Sequence, residues 1–78
     1  MTLSEALEWI ANLFEEAVEK IKPETARDEI DAWDSLGVLT LIAALDEKFN
    51  ILMTEKEIGE LKKVNDILDI LRKNGKLE

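Results

Sequence analysis

The sequence has 78 residues, enough for one small domain. Its 18 acidic and 10 basic residues give a formal net charge of −8, which argues against nucleic acid as a partner and favours basic protein surfaces. The sequence contains neither cysteine nor histidine, which excludes disulfides, a catalytic thiol, imidazole catalysis and most zinc sites.

The first predicted helix runs from about Leu3 to Ile21. Residues Thr2 to Glu5 match a capping box at its start, and Pro23 is expected to end it. Apolar residues recur at helical spacing along the whole segment, which predicts one buried face. That face consists of Leu3, Leu7, Ile10, Phe14, Ala17, Val18 and Ile21.

Residues 22–34 show no helical stripe and are predicted to form a long loop. Loops of about 12 or more residues are uncommon in small domains and are often functional. The acids of this loop do not follow the spacing of a calcium-binding EF-hand, so we predict no metal site. They are Asp28, Glu29, Asp31 and Asp34.

The second predicted helix runs from Ser35 to about Phe49, with Asp34 as its N-cap. It has more apolar residues than one core face requires, and on a helical wheel they form two groups roughly 150° apart. The predicted core face consists of Val38, Leu41, Ile42, Leu45 and Phe49. The second group, which we name the apolar strip, consists of Leu36, Leu39 and Ala43. Either the helix is buried on both sides, or the strip is an exposed docking surface.

The third predicted helix is short. It begins after Thr54, in a second capping box with Glu57, and ends near Leu61. The fourth begins around Asn65 or Asp66 and ends at the stop signal Asn74–Gly75. The sequence therefore predicts a single all-α domain over residues 1–78, a four-helix bundle with a long first loop and a short third helix.

Ser35 lies where the long loop meets the second helix. The first backbone N–H groups of a helix are unpaired and its N-terminus is positive, so an anion attached to this hydroxyl would be stabilised. A serine nucleophile is not predicted, because carboxylates are the only general bases in the sequence. Local physics also allows a simpler interpretation, in which Asp34 and Ser35 only cap the helix.

Residues 34–51 resemble the signature of the acyl carrier protein family. An Asp-Ser-Leu triplet is followed in register by an apolar helix, an acidic pair and a phenylalanine, and the similarity continues through the third and fourth helices. The matching residues of the signature are Asp34, Ser35, Leu36, Leu41, Ala44, Leu45, Asp46, Glu47 and Phe49.

The resemblance implies a four-helix carrier protein and not an enzyme. Ser35 would be esterified by 4′-phosphopantetheine, transferred from coenzyme A by a phosphopantetheinyl transferase. Asp34 and Leu36 would complete the cofactor-binding site, and Asp34 would help the transferase to recognise it. The thiol of that group would hold acyl chains as thioesters for acyl ligases, synthases or acyltransferases. The resemblance assigns partner contacts to Leu36, Leu39 and Ala43, and contacts with basic patches to Asp46, Glu47 and Glu55.

The sequence departs from fatty-acid carriers around Ser35. Ala32 replaces a usual glycine, and Gly37 and Thr40 replace usual acids. Residues 1–34 contain ten acids and three bases, a net charge of −7, whereas residues 35–78 contain eight acids and seven bases, a net charge of −1. These departures favour a specialised acyl pathway over general fatty-acid synthesis. An aminoacyl or peptidyl carrier, an unmodified acidic helical adaptor and a carboxylate-only enzyme are the alternatives.

Three further residues near the predicted helix ends or core call for interpretation: Gly37 and Trp33, which each allow two interpretations, and Trp9, which allows one. Gly37 is either tolerated in a frayed first turn or lets a partner or the cofactor arm approach the backbone. Trp33 either folds over the core or acts as a lid on the arm or a contact for the transferase. Trp9 is expected to pack beside the first helix's core face.

The sequence predicts a location as well. No apolar run approaches the roughly 20 residues of a membrane span, and residues 1–5 lack the basic and apolar regions of a signal peptide. We therefore expect a soluble, cytoplasmic monomer.

Overall fold

The computed structural model describes all 78 residues and contains helices and turns but no strand. This confirms the predicted all-α class. The four α-helices are α1 (Leu3–Leu13), α2 (Ser35–Phe49), α3 (Glu55–Gly59) and α4 (Val64–Lys73). Two short 3-10 helices, Val18–Lys20 and Arg27–Glu29, lie between α1 and α2.

Helix α1 is eight residues shorter than predicted, and Pro23 does not end it. It stops because Glu15 adopts a left-handed backbone conformation, with φ of 56°. The N–H of Glu16 then donates to the carbonyl of Ala11 at 2.8 Å, the hydrogen bond of a Schellman turn. The apolar spacing was misleading because Ile21 is buried from an extended backbone, beyond the helix.

The predicted face of α1 is correspondingly incomplete. Ala17 and Val18 lie beyond the helix and are exposed, and Leu3 is exposed within it. Ile10 and Phe14 are buried as predicted. The residues predicted to form one long helix therefore reach the core from a shorter helix, α1, and from the irregular segment that follows it.

The other helix ends follow the sequence signals closely. Helix α2 has the predicted bounds, and both capping boxes, Thr2 with Glu5 and Thr54 with Glu57, are present. Helix α3 ends two residues earlier than predicted, at Gly59. Helix α4 begins slightly earlier than predicted, at Val64, because an Asp66 carboxylate oxygen accepts the N–H groups of Lys62 and Lys63.

The predicted long loop before α2 is fixed to the start of α4 by backbone hydrogen bonds. The N–H of Arg27 donates to the carbonyl of Lys62 at 2.8 Å, and the N–H of Val64 donates to the carbonyl of Thr25 at 2.9 Å. Thr25 is itself buried. The loop therefore approaches Ser35 along a defined path.

The core consists of sixteen buried apolar residues, contributed by every α-helix, by the segment between α1 and α2 and by the connection between α2 and α3. They are Ala6, Ile10, Ala11, Phe14, Ile21, Ile30, Trp33, Val38, Leu41, Leu45, Ile51, Ile58, Val64, Ile67, Leu68 and Leu71. Trp9 packs at its margin as predicted, with its ring edge-to-face on Phe49 at 5.1 Å. None of the helices is long and apolar enough to cross a bilayer.

Candidate functional site at the start of helix α2

The first turn of α2 presents a serine beside two backbone N–H groups that the N-cap leaves unpaired. Asp34 caps the helix: its Oδ1 accepts the N–H of Gly37 at 2.9 Å, and its carbonyl accepts the N–H of Val38 at 2.9 Å. Ser35 follows as the first helical residue and is exposed. The N–H groups of Ser35 and Leu36 donate to no protein acceptor. This geometry fits a phosphate ester on the Ser35 hydroxyl.

Gly37 is required by a close approach within the chain itself. A Cβ at this position would lie 2.0 Å from the carbonyl oxygen of Ala32. The interpretation of a frayed turn is therefore wrong, because the backbone that approaches Gly37 is the protein's own loop. The approach of a partner or of the cofactor arm stays a prediction. Any side chain at Gly37 would displace the segment that leads into Asp34 and Ser35.

Trp33 belongs to the core, so its interpretation as a lid or transferase contact is wrong. Its ring is 3% exposed and stacks on Phe14 with a centroid distance of 5.3 Å. The Arg27 guanidinium lies 5.9 Å from the Trp33 ring centroid, and its Nε–H donates to the Trp33 carbonyl at 3.1 Å. Arg27 also donates from Nη1 to the carbonyl of Gly59 at 3.3 Å, which ties the loop to α3.

No sequence pattern indicates this role for Arg27. The residue lies in a segment without periodicity, and its acceptors are backbone carbonyls, which leave no pattern in a sequence. Its importance follows only from the folded positions of Trp33 and Gly59.

The apolar strip of α2 is exposed, which excludes burial of the helix on both sides. Leu36 is 68% exposed and Leu39 is 51% exposed, and Ala43 is exposed on the same side. The opposite face is the predicted core face: Val38, Leu41 and Leu45 are buried, and Ile42 and Phe49 are half-buried. The structure thus leaves an apolar surface that begins beside Ser35.

The predicted docking acids lie farther from the serine. Asp46 and Glu47 are exposed near the end of α2, and Glu55 is exposed at the start of α3. Eleven residues of helix separate Ser35 from Asp46, a rise of about 16 Å. The first turn of α2 contains no acid. The site therefore has an apolar half near Ser35 and an acidic half at the other end of the helix.

Curated proteins resemble this chain over most of its length. The acyl carrier protein of Helicobacter hepaticus is 36% identical over 55 residues, which cover 70% of this chain and 72% of that protein. That of Syntrophobacter fumaroxidans is 38% identical over 66 residues, which cover 83% of this chain and 80% of that protein. The chain belongs to the acyl carrier protein family.

A third acyl carrier protein, from Thermosynechococcus vestitus, is 40% identical over 53 residues, which cover 68% of this chain and 65% of that protein. No family model matches the chain. The curated relatives confirm the resemblance seen in the signature around Ser35. Membership in the acyl carrier protein family makes the chain a carrier protein rather than an enzyme.

Proposed function

We propose that this carrier is modified at Ser35 by 4′-phosphopantetheine and holds acyl groups as thioesters for a specialised pathway. The observation that carries the proposal is the exposed Ser35 hydroxyl on the first turn of α2, beside two unpaired backbone N–H groups. We further propose that the protein acts as a cytoplasmic monomer.

The residues at the start of α2 suit a covalently attached phosphopantetheine. In the modification, Ser35 Oγ bonds to the β-phosphorus of coenzyme A, 3′,5′-adenosine diphosphate leaves, and the serine proton passes to a base of the transferase. The unpaired N–H groups of Ser35 and Leu36 would stabilise the negative charge of the phosphodiester. Asp34 holds this turn in place through its hydrogen bond with Gly37. The attached group supplies the thiol that the chain lacks.

Partner enzymes would dock on the exposed side of α2. Leu36, Leu39 and Ala43 offer apolar contacts beside Ser35, whereas Asp46 and Glu47 offer charge to basic patches on synthases, ligases or acyltransferases. Glu55 adds a further exposed acid on α3. The strip supports this role because burial in the bundle does not account for it.

The charge distribution supports a specialised pathway. The first turn of α2 has no acid, and most of the net negative charge belongs to residues 1–34. A partner must therefore recognise the apolar side chains of the first turns of α2 and acids that other segments supply, which is the requirement expected of dedicated enzymes.

The test is the intact mass of the protein after incubation with coenzyme A and a broad-specificity phosphopantetheinyl transferase. The wild type should gain one phosphopantetheine, and Ser35→Ala should gain none. Ser4→Ala is the matched control, because Ser4 is the only other serine, and it should be modified like the wild type. If the wild type gains no mass while an established carrier is modified in parallel, the proposal is wrong and the unmodified adaptor is favoured.

A further inference from the structure

A shallow depression of about 300 Å³ lies beside Ser35, between the end of α1 and the first turns of α2. One wall is apolar and includes Leu13 and Leu36. Its polar edge includes Glu15, Asp34 and Thr40. The structure therefore brings Glu15 to the serine region, although the two are twenty positions apart in the sequence.

Glu15 and Asp34 are the two carboxylates that line this depression, and both are exposed. Asp34 accepts the N–H of Gly37, whereas Glu15 takes part in no hydrogen bond through its side chain and in no salt bridge. Glu15 is exposed, and its left-handed conformation turns the chain at the end of α1. The first turn of α2 contributes no acid beyond its Asp34 cap, so Glu15 adds a second negative charge beside that of Asp34.

An apolar wall next to one carboxylate matches a long cationic side chain. The methylenes of a lysine or arginine pack on apolar surface while the charged head meets the carboxylate. A divalent cation fits poorly, because it prefers several oxygen ligands and Asp34 is already engaged as a cap. The net charge of −7 in residues 1–34 favours a basic partner in the same way.

We propose that Glu15 recognises a lysine or arginine side chain of the phosphopantetheinyl transferase and thereby helps to dock that enzyme over Ser35. This inference depends on the proposed function, since it concerns the enzyme that modifies the serine. It adds a negative contact from the end of α1 to the acids that the sequence assigned to partners, which are Asp34 at the cap and those on α2 and α3.

The test compares the KM and kcat of modification by the broad-specificity transferase for four proteins at low and high salt. Glu15→Gln should raise the KM about fivefold at low salt with kcat unchanged, and high salt should reduce the difference, because an exposed charge pair is screened. Glu19→Gln is the matched control. It removes the same charge from an exposed residue outside the depression and should change the KM less than about twofold.

Glu15→Gly separates recognition from stability. Glycine adopts positive φ without strain, so this variant should melt about 4 °C higher than the wild type. Its KM should nevertheless rise as much as that of Glu15→Gln, which a merely structural role would not produce. If both Glu15 variants keep the wild-type KM, this inference is overturned while the carrier function stands. If the wild type is not modified at all, both proposals fall.

Discussion

The two faces of α2 both contain leucines, but one face is buried in the core and the other is exposed. Leu41 and Leu45 are fully buried, whereas Leu36 and Leu39 are 68% and 51% exposed. Burying a leucine side chain is worth about 1.5–3 kcal/mol, so the first pair stabilises the bundle and the second pair contributes little to it. The comparison shows that an apolar residue on this helix serves folding or docking according to where the other elements pack.

The largest expected effect is on the buried face. Leu41→Ala should lower the free energy of unfolding by about 2–5 kcal/mol, because it leaves a cavity among core residues. Leu39→Ala, the matched change on the other face, should lower it by less than about 0.5 kcal/mol. Urea unfolding followed by circular dichroism measures both. Equal losses would mean that the two faces are not distinct.

The next largest effect is expected at Gly37, in the first turn of α2, where the preceding loop packs against the helix. Gly37→Ala places a Cβ against the Ala32 carbonyl and should cost about 1–3 kcal/mol of stability. It should also slow phosphopantetheine transfer in conditions where the variant remains folded, because the loop beside Ser35 is displaced. Gly59→Ala is the control, since nothing lies within 4 Å of a Cβ there. It should lower neither the stability nor the rate of transfer. A wild-type rate for Gly37→Ala would remove the positioning role.

The exposed face should show the opposite pattern, with an effect on binding and none on stability. Leu36→Ala should raise the KM of the transferase about fivefold and leave the urea midpoint unchanged, because truncating a central apolar contact is worth about 1 kcal/mol or more in binding. Leu52→Ala is the control, because Leu52 is 80% exposed and lies outside the apolar strip. If both variants raise the KM alike, the strip has no special role.

The smallest effect lies away from α2, at the capping box of α3. The Thr54 backbone N–H and the Thr54 hydroxyl both donate to the Glu57 carboxylate. These hydrogen bonds, the backbone one most strongly, lower the pKa of Glu57 below the usual 4.5. A carboxylate whose pKa is lower in the folded state than in the unfolded state stabilises the protein at pH values above its unfolded-state pKa. This contribution is lost as the pH falls through the lowered, folded-state pKa.

This sign can be tested with Glu57→Gln, which keeps the cap without the charge. Thermal melts at pH 7 and at steps below 4.5 should show the wild type losing slightly more stability on acidification than the variant. Phosphopantetheine transfer at pH 7 should be the same for both proteins, because Glu57 lies outside the apolar strip and the depression. If the stability of Glu57→Gln falls with pH as much as that of the wild type, the charge of Glu57 does not contribute to stability.

The helix ends show why part of the fold was predictable. The left-handed turn after α4 uses Gly75, with φ of 69°, and its stop signal was read from the sequence. The left-handed turn after α1 uses Glu15, with φ of 56°, and no sequence rule places glutamate in that conformation. The end of α1 was therefore missed because tertiary packing of Phe14 and Ile21 overrides the local preference.

The candidate site shows the same division. Ser35, Asp34 and the apolar strip were predictable, because a capping residue and a helical wheel are local patterns. The reason for Gly37 and the contacts of Arg27 were not predictable, because each depends on a carbonyl from a distant or irregular segment. The position of Glu15 beside the serine also depends on how α1 packs against α2.

The sequence by itself determined the helical class, the bounds of α2 and the family signature around Ser35, because periodicity, caps and motif spacing are properties of neighbouring residues. Tertiary structure alone decided which face of α2 is exposed, that Trp33 is part of the core, and that Gly37 accommodates the loop. These outcomes depend on which surfaces meet when the bundle closes, and burial and steric contact between distant segments are not encoded in any local pattern.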